Sequence, residues 1–287
     1  VNVVAVCQLA LQVGAPEANL ATVTSAIRSA AADGADIVVV PELSDSGYVF
    51  ADRAEAAGLA HSAATSPALA AWQELTSQLR ITVVGGWCER GDDGLLYNSA
   101  AIVGPAGVLA TYRKAHLWDE EKHVFTPGDG PPPVVDTPAG RIGVCICYDL
   151  EFPEWARLAA LAGADLLAAP VNWPRLDRPP GERPNEVVKA QADAAVNGMW
   201  IAVADRCGTE RGVEWTGGSL IVDPGGYPVA GPVLADRPTT LLADIDLTRA
   251  RDKRINANND VIGDRRPGLY RGVTDVAVPA AGMEITG

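Results

Sequence analysis

From Val144 to Glu154 the chain reads Val-Cys-Ile-Cys-Tyr-Asp-Leu-Glu-Phe-Pro-Glu. Just upstream, Arg141 to Cys145 carries the apolar pattern of a strand, and at Pro153 a helical pattern opens, with proline where a first helical turn tolerates it. Cys147 falls on the step between the two. A strand-to-helix step can hold a small nucleophile at a sharp bend and aim backbone N–H groups at it, which offers a thiol a route to a depressed pKa and to an oxyanion site. A lone cysteine is more often a buried packing residue, and that is the reading for Cys145, two residues earlier among apolar neighbours.

Two other segments bear on Cys147. Val38-Val39-Val40-Pro41-Glu42 ends an apolar strand in a carboxylate, and Tyr112-Arg113-Lys114-Ala115-His116-Leu117 carries a lysine after the strand around Ala100–Val103 and the Pro105–Gly107 turn. Read singly, Glu42 is a solvated strand-end charge and Lys114 a surface lysine. Taken in order, the Glu, Lys and Cys resemble the triad of the nitrilase superfamily of carbon-nitrogen hydrolases, and in particular its aliphatic and amino acid amidases. Glu121, ahead of Phe125 and Pro127-Gly128, is similar to that family's second glutamate, although Asp119 and Glu120 beside it also read as a charged face. Gly217-Gly218-Ser219 through Asp223-Pro224 and Gly226, and Asp264-Arg265-Arg266-Pro267 with Leu269-Tyr270, resemble its late signatures. Two places depart: Asp193-Ala194-Ala195-Val196-Asn197 stands where an Arg-Ala-x-Glu-Asn run is usual, and Asp205 where an asparagine is usual.

The resemblance implies an α/β fold, a four-layer αββα sandwich, with catalytic roles for Glu42, Lys114, Cys147 and Glu121. Glu42 would be base and acid once burial raises its pKa, Lys114 and the backbone N–H of Tyr148 would hold an oxyanion, and Glu121 would orient Lys114. Around them, Tyr48, Tyr148, Glu151, Asn172 and Trp173 are expected to contact substrate, with Pro174–Pro184 as a specificity loop. Glu151, four residues after Cys147, would repel a carboxylate in a desolvated pocket unless Arg175, Arg178 or Arg183 turned inward. The implied activity is hydrolysis of a small neutral or amine-bearing carboxamide through a thioester. A nitrilase or N-carbamoyl amide hydrolase using the same residues is the rival, and a non-catalytic scaffold is the alternative of another class.

The bulk properties agree with an enzyme of this kind. The chain has 287 residues, 48% hydrophobic and 21% charged, as in globular proteins with a substantial core. A net charge of −13 argues against nucleic acid or an anionic membrane as partner. No apolar run approaches the ~20 residues that cross a bilayer. Five cysteines, an odd number without Cys-x-x-Cys, read as reduced thiols, with Cys88 and Cys207 as packing residues. Three dispersed histidines give no metal cluster; His116 reads as a structural hydrogen-bonding residue. No cofactor is expected, and residues 1–287 are read as one cytoplasmic domain forming a homodimer or larger homo-oligomer.

Apolar blocks predict strands at Val3–Cys7, Ile37–Val40, Ile81–Gly85, Ala100–Val103, Ile142–Ile146, Leu166–Ala169, Ile201–Ala204, Ser219–Val222 and Leu241–Ile245, with helices near Asn19–Ala32, Pro67–Gln78, Pro153–Ala162 and Pro184–Val196. One internal echo stands out: Gly34-Ala35-Asp36-Ile37-Val38-Val39-Val40-Pro41 is matched by Gly163-Ala164-Asp165-Leu166-Leu167-Ala168-Ala169-Pro170. Each follows an alanine-rich helix and ends a strand at proline, which fits two similar βα halves packed face to face, with chance convergence of helix–loop–strand grammar as the alternative.

Overall fold

A computed structural model describes residues 1–275. In chain order the strands are β1 (Asn2–Gln8), β2 (Ile37–Val39), β3 (Thr82–Arg90), β4 (Leu96–Gly104), β5 (Gly107–Arg113), β6 (Val134–Asp136), β7 (Arg141–Val144), β8 (Leu166–Pro170), β9 (Trp200–Ala204), β10 (Thr209–Glu210), β11 (Val213–Glu214), β12 (Leu220–Val222), β13 (Pro228–Ala230) and β14 (Thr239–Ile245). The helices are α1 (Pro16–Ala32), α2 (Arg53–Leu59), α3 (Pro67–Leu79), α4 (Glu121–Val124), α5 (Pro153–Leu161), α6 (Asn185–Asn197) and α7 (Arg271–Asp275).

Two six-stranded sheets carry the fold, in the orders β14-β1-β2-β3-β4-β5 and β13-β12-β9-β8-β7-β6. The echo occupies matching places: β2 pairs in parallel with β1 and β3, and β8 in parallel with β7 and β9. Strand alternation sorts the side chains. Val4, Val6, Ile37, Val39, Val84 and Ile102 of the first sheet share one core with Ile142, Val144, Leu166, Ala202 and Ile221 of the second, so the sheets pack face to face. Their outward neighbours Ala5, Cys7, Val38, Val40 and Val83 meet Val23 and Ile27 of α1 and Leu69, Trp72 and Leu75 of α3. Helices α5 and α6 cover the far side of the second sheet through Ala156, Ala159, Val187, Ala190 and Ala194. The result is the four-layer αββα sandwich. Each fully buried Val, Leu or Ile in it contributes roughly 1.5–3 kcal/mol.

Some expectations shift. Helix α1 starts at Pro16, not Asn19; the Asn19 amide is instead buried, accepting from Gln12 N–H at 2.9 Å and donating to the Gln12 and Asp45 carbonyls. The segment before Lys114 is a strand, β5, which forms a hairpin with a longer β4. Only its Tyr112 is fully buried, so its apolar signal is weak. Helix α2 is short, with a single buried residue, and starts from the Asp52 cap that accepts Glu55 N–H at 2.8 Å.

Residues 1–252 form one compact unit, and the described residues from Lys253 to Asp275 belong to a second. Within the described part of the second, Asp260 Oδ1 accepts from Ile262 and Gly263 N–H, and a 3-10 turn at Pro267–Leu269 leads into α7.

Three carboxyls of the larger unit are buried without a salt-bridge partner close enough to offset their desolvation. Burial pushes Asp45 up to about 6 and Asp193 and Asp205 up to about 7, against 3.8 in the open chain. Between those values the folded protein holds more protons than the unfolded chain, so stability falls as pH rises through the window from about 4 to about 7. Thermal denaturation should therefore give a higher Tm near about pH 5 than near about pH 8. A Tm that rises from the lower to the higher pH would contradict these buried acids.

Candidate active site

The first cluster of charge sits at one end of the sandwich, where β2 and β5 run out. Pro41 and Glu42 follow β2, Lys114 follows β5, and Glu121 opens α4. Lys114 Nζ lies 2.7 Å from Glu42 Oε1 and 2.8 Å from Glu121 Oε1, and neither Lys114 nor Glu42 exposes any side-chain surface. Asn98 of β4 donates to the same two oxygens, at 2.7 and 3.3 Å. The Tyr48 hydroxyl donates to Glu121 Oε1 at 2.7 Å, and Trp118 N–H to its Oε2 at 3.0 Å. Burial raises Glu42 to about 7, with Lys114 opposing and Glu121 adding. Burial also works against the Lys114 charge, but Glu121 and Glu42 more than offset it and hold the ammonium well above its ordinary range. Glu42 Oε2 is buried without a partner among the described residues.

Two glycines make room for this cluster. A Cβ on Gly86 of β3 would stand 2.5 Å from Glu42 Cα, and its N–H and carbonyl bond Pro41 and Ser44 on either side. A Cβ on Gly128 would collide with the Arg113 carbonyl; the Gly128 N–H instead bonds the Lys114 carbonyl at 2.8 Å.

Cys147 lies at the step beyond β7, with φ +46°, a left-handed value that β-carbon-bearing residues seldom adopt. It begins a 3-10 turn, Cys147–Glu151, and α5 opens only afterwards at Pro153. Asp149 fixes the bend: its Oδ2 accepts Ile146 N–H at 2.9 Å and the Tyr112 hydroxyl at 2.7 Å, and its Oδ1 accepts His116 N–H at 3.2 Å and lies 2.7 Å from His116 Nδ1. The His116 ring stacks on Phe152 at 3.8 Å. The Cys147 thiol points at the Asn172 carbonyl, 3.8 Å away. Its proton affinity departs from the sequence expectation. Burial pushes the thiol well above its usual range, with Glu42 adding and Lys114 opposing, and the helical turn that begins at Cys147 does not reverse this. The resting group is a thiol that needs a base. Cys145 is buried in the hydrophobic core, one residue past Val144 and so on the alternate face of its strand.

Cys147 opens on a cavity of about 240 Å³ whose walls include Tyr148, Glu151, Asn172, Trp173 and Lys189. Tyr48 lies elsewhere, on a neighbouring cavity with Glu121. Asn172 Nδ2 donates to the Glu42 carbonyl at 3.2 Å, tying the Cys147 wall to the Glu42 loop. Glu151 faces the cavity but is not an isolated charge: Lys189 of α6 meets it at 2.5 Å. The uncompensated repulsion expected of Glu151 is therefore corrected by a lysine that only tertiary packing brings to it. The loop arginines do not line this cavity; Arg175 pairs with Glu214 and Arg183 with Gln191.

Sequence reasoning missed the groups that hold the Glu42 loop. Arg206, fully buried, meets Glu210 at 2.9 Å and donates to the Glu42 and Leu43 carbonyls at 3.4 and 3.3 Å. Glu210 in turn accepts from Tyr48 and Val49 N–H. Asp205, the departure from the family asparagine, accepts Trp173, Arg206 and Gly218 N–H at 2.9, 2.8 and 2.7 Å. The available signals were Asn98 inside an apolar strand and Asp205-Arg206 immediately after another. Among the described residues no three or more His, Cys, Asp or Glu side chains group as a metal site.

A family model for carbon-nitrogen hydrolases matches residues 3–255. A protein from Pyrococcus abyssi named nitrilase is 37% identical over 93% of this chain and 98% of its own. A citrullinase from Francisella tularensis is 34% identical over 93% of this chain and 96% of its own. Among solved structures, the amidase from Nesterenkonia sp. AN1 superposes with a TM-score of 0.80 at 28% identity, covering 95% of this chain and all of that one. In a mutant of that amidase, acrylamide has added at the active-site cysteine.

Replacing Arg206 by methionine should leave Glu210 buried and unpaired and release both ends of the Glu42–Val49 loop. The expected loss of unfolding free energy is about 3–5 kcal/mol, with catalysis reduced further in whatever folds. Chemical denaturation measures the first effect; wild-type stability in this variant would show that the pair does not hold the loop.

Proposed function

Because the chain belongs to the carbon-nitrogen hydrolase family, we propose that it is an amidase that cleaves a small carboxamide by covalent catalysis from Cys147. The observation that carries this reading is the buried Glu42–Lys114–Glu121 cluster beside a thiol too weakly acidic to ionise unaided. Glu42, raised to about 7, is suited to accept the thiol proton and return it to the leaving nitrogen. The thiolate attacks the amide carbon, and Lys114 and the Tyr148 N–H stabilise the oxyanion. Glu121 and Asn98 hold Lys114 and Glu42 in register. Collapse expels the amine and leaves a thioester, which a water activated by Glu42 hydrolyses. The cysteine adduct in the Nesterenkonia amidase supports the same role for Cys147.

Substrate charge follows from the walls. Glu151 and Glu186 outnumber Lys189, which is already paired, so the cavity suits neutral or amine-bearing amides over anionic ones. Nitrile or carbamoyl cleavage by the same residues is the rival, and the Pyrococcus relative's name and the citrullinase favour keeping both in the assay. No helix among the described residues is long and apolar enough to cross a membrane. Five unpaired thiols fit a cytoplasmic enzyme, and the exposed Leu158, Leu161, Val188 and Val196 of α5 and α6 fit a homodimer or larger homo-oligomer.

Ammonia release from matched amides, nitriles and carbamoyl compounds tests the reading. Amides should be turned over; Cys147→Ala should abolish this and Cys145→Ala should not. Retained activity in Cys147→Ala would contradict the assignment. The pH profile gives a second check. Glu42 must be ionised to act as base, so kcat/KM should fall on the acid side with an apparent pKa of about 7. Asn98 donates to the ionised form, so Asn98→Leu should move that limb to higher pH. A limb that stays or moves lower would contradict the role of Glu42.

A further inference from the structure

The cavity at Cys147 has a larger neighbour. The second, of about 320 Å³, is walled by aromatic and apolar side chains, among them Tyr48, Phe50, Phe125 and Trp215. Trp118, Pro174 and Leu176 line both cavities. The two sides of this shared wall differ in chemistry. Cys147 and Asn172 belong to the smaller cavity, whereas Glu121 and Tyr48, which contact each other and lead through Lys114 to Glu42, belong to the larger. A carbonyl carbon bonded to Cys147 Sγ puts the acyl group in the smaller cavity. Glu42 lines neither cavity: its carbonyl meets Asn172 of the smaller one, while its carboxylate, which would deliver the proton to nitrogen, is joined through Lys114 to Glu121 of the larger one, and that carboxylate link directs the leaving nitrogen toward the larger cavity. For a primary amide nothing fills that space.

We propose that the aromatic cavity receives the nitrogen substituent of a secondary amide, so that the enzyme cleaves N-alkyl and N-aralkyl amides as well as primary ones. This rests on the amidase reading. The charge of the preferred substituent follows from the rim: Asp119, Glu120 and Glu121 line the cavity, and no lysine or arginine does. Neutral or ammonium-bearing aralkyl groups fit, and anionic ones are disfavoured. Together the cavities reach the range of small-molecule sites, about 300–1,000 Å³, which the Cys147 cavity alone does not. The step balances as for a primary amide. The S–C bond forms as the thiol proton passes to Glu42, the C–N bond breaks as that proton reaches nitrogen, and a primary amine leaves in place of ammonia. Water then cleaves the thioester to the acid and restores the thiol.

The test compares four amides of one acid: the primary amide, and the N-benzyl, N-(4-aminomethylbenzyl) and N-(4-carboxybenzyl) amides, read by ammonia and amine release. The unmodified enzyme should release amine from the N-benzyl and aminomethylbenzyl compounds and disfavour the carboxybenzyl one by on the order of tenfold. Val213 stands on the wall of the aromatic cavity and not on that of the Cys147 cavity. Val213→Trp should fill it and lower kcat/KM for the N-benzyl amide on the order of tenfold while leaving the primary amide unchanged. Val213→Ala, which adds no bulk, should retain both activities. Turnover of the primary amide without amine from any substituted one would overturn this proposal and leave the amidase reading standing. So would equal losses for both substrates in a folded Val213→Trp protein, or parity for the carboxybenzyl amide. No release from any of the four would overturn both.

Discussion

One ammonium, that of Lys114, is buried between two carboxylates, and the end of the sandwich is arranged around it. An unpaired charge at that depth would cost many kcal/mol, so the site exists only if all three groups are delivered together. Glu42 comes from the end of β2, Lys114 from the end of β5 and Glu121 from the start of α4, and each oxygen that faces the ammonium also takes a bond from Asn98. The low dielectric that makes the arrangement costly also gives it its chemistry. It lifts Glu42 toward neutrality and pushes the Cys147 thiol well above its usual range, so on the proposed mechanism the thiol depends on a base such as Glu42 to give up its proton.

The scaffold around this centre uses the same device repeatedly: a buried carboxylate takes the backbone N–H groups left over where strands end. Asp149 ties the elbow of Cys147 to β5 and His116. Asp205 ties the Trp173 segment to the end of β9. Glu210, neutralised by Arg206, ties the loop after Glu42. Strand termini are where backbone donors lose their ladder partners, and they are also where the sandwich places its chemistry, so one set of acids satisfies the backbone and positions the reacting groups.

The sandwich was legible because its central strands are buried on both faces and read as plain apolar runs. The Gly34–Pro41 and Gly163–Pro170 echo even marked matching strands of the two sheets. Edge and hairpin strands such as β5 bury few residues and left little pattern. Glu42, Lys114, Glu121 and Cys147 could be singled out because each stands at an element boundary in a resembling order. Asn98 and Arg206 show in the sequence only as polar residues in or just after apolar strands, and Lys189 gives no sign at all, since their partners lie 56, 164 and 38 residues away along the chain. The protonation of Cys147 was misread for the same reason: proximity to a helix start is visible in sequence, whereas burial beside a carboxylate is a property of the packed state.

The central claim is that Cys147 forms the covalent bond while the Lys114 cluster manages the proton. Rapid-quench mass spectrometry of the enzyme during turnover of a slow amide tests it most directly. The account predicts a transient mass increase equal to the acyl group, located on the peptide that carries Cys147 and absent in Cys147→Ala. An acyl group found on Cys145 or another residue, or steady turnover with no acyl-enzyme at any time, would contradict it.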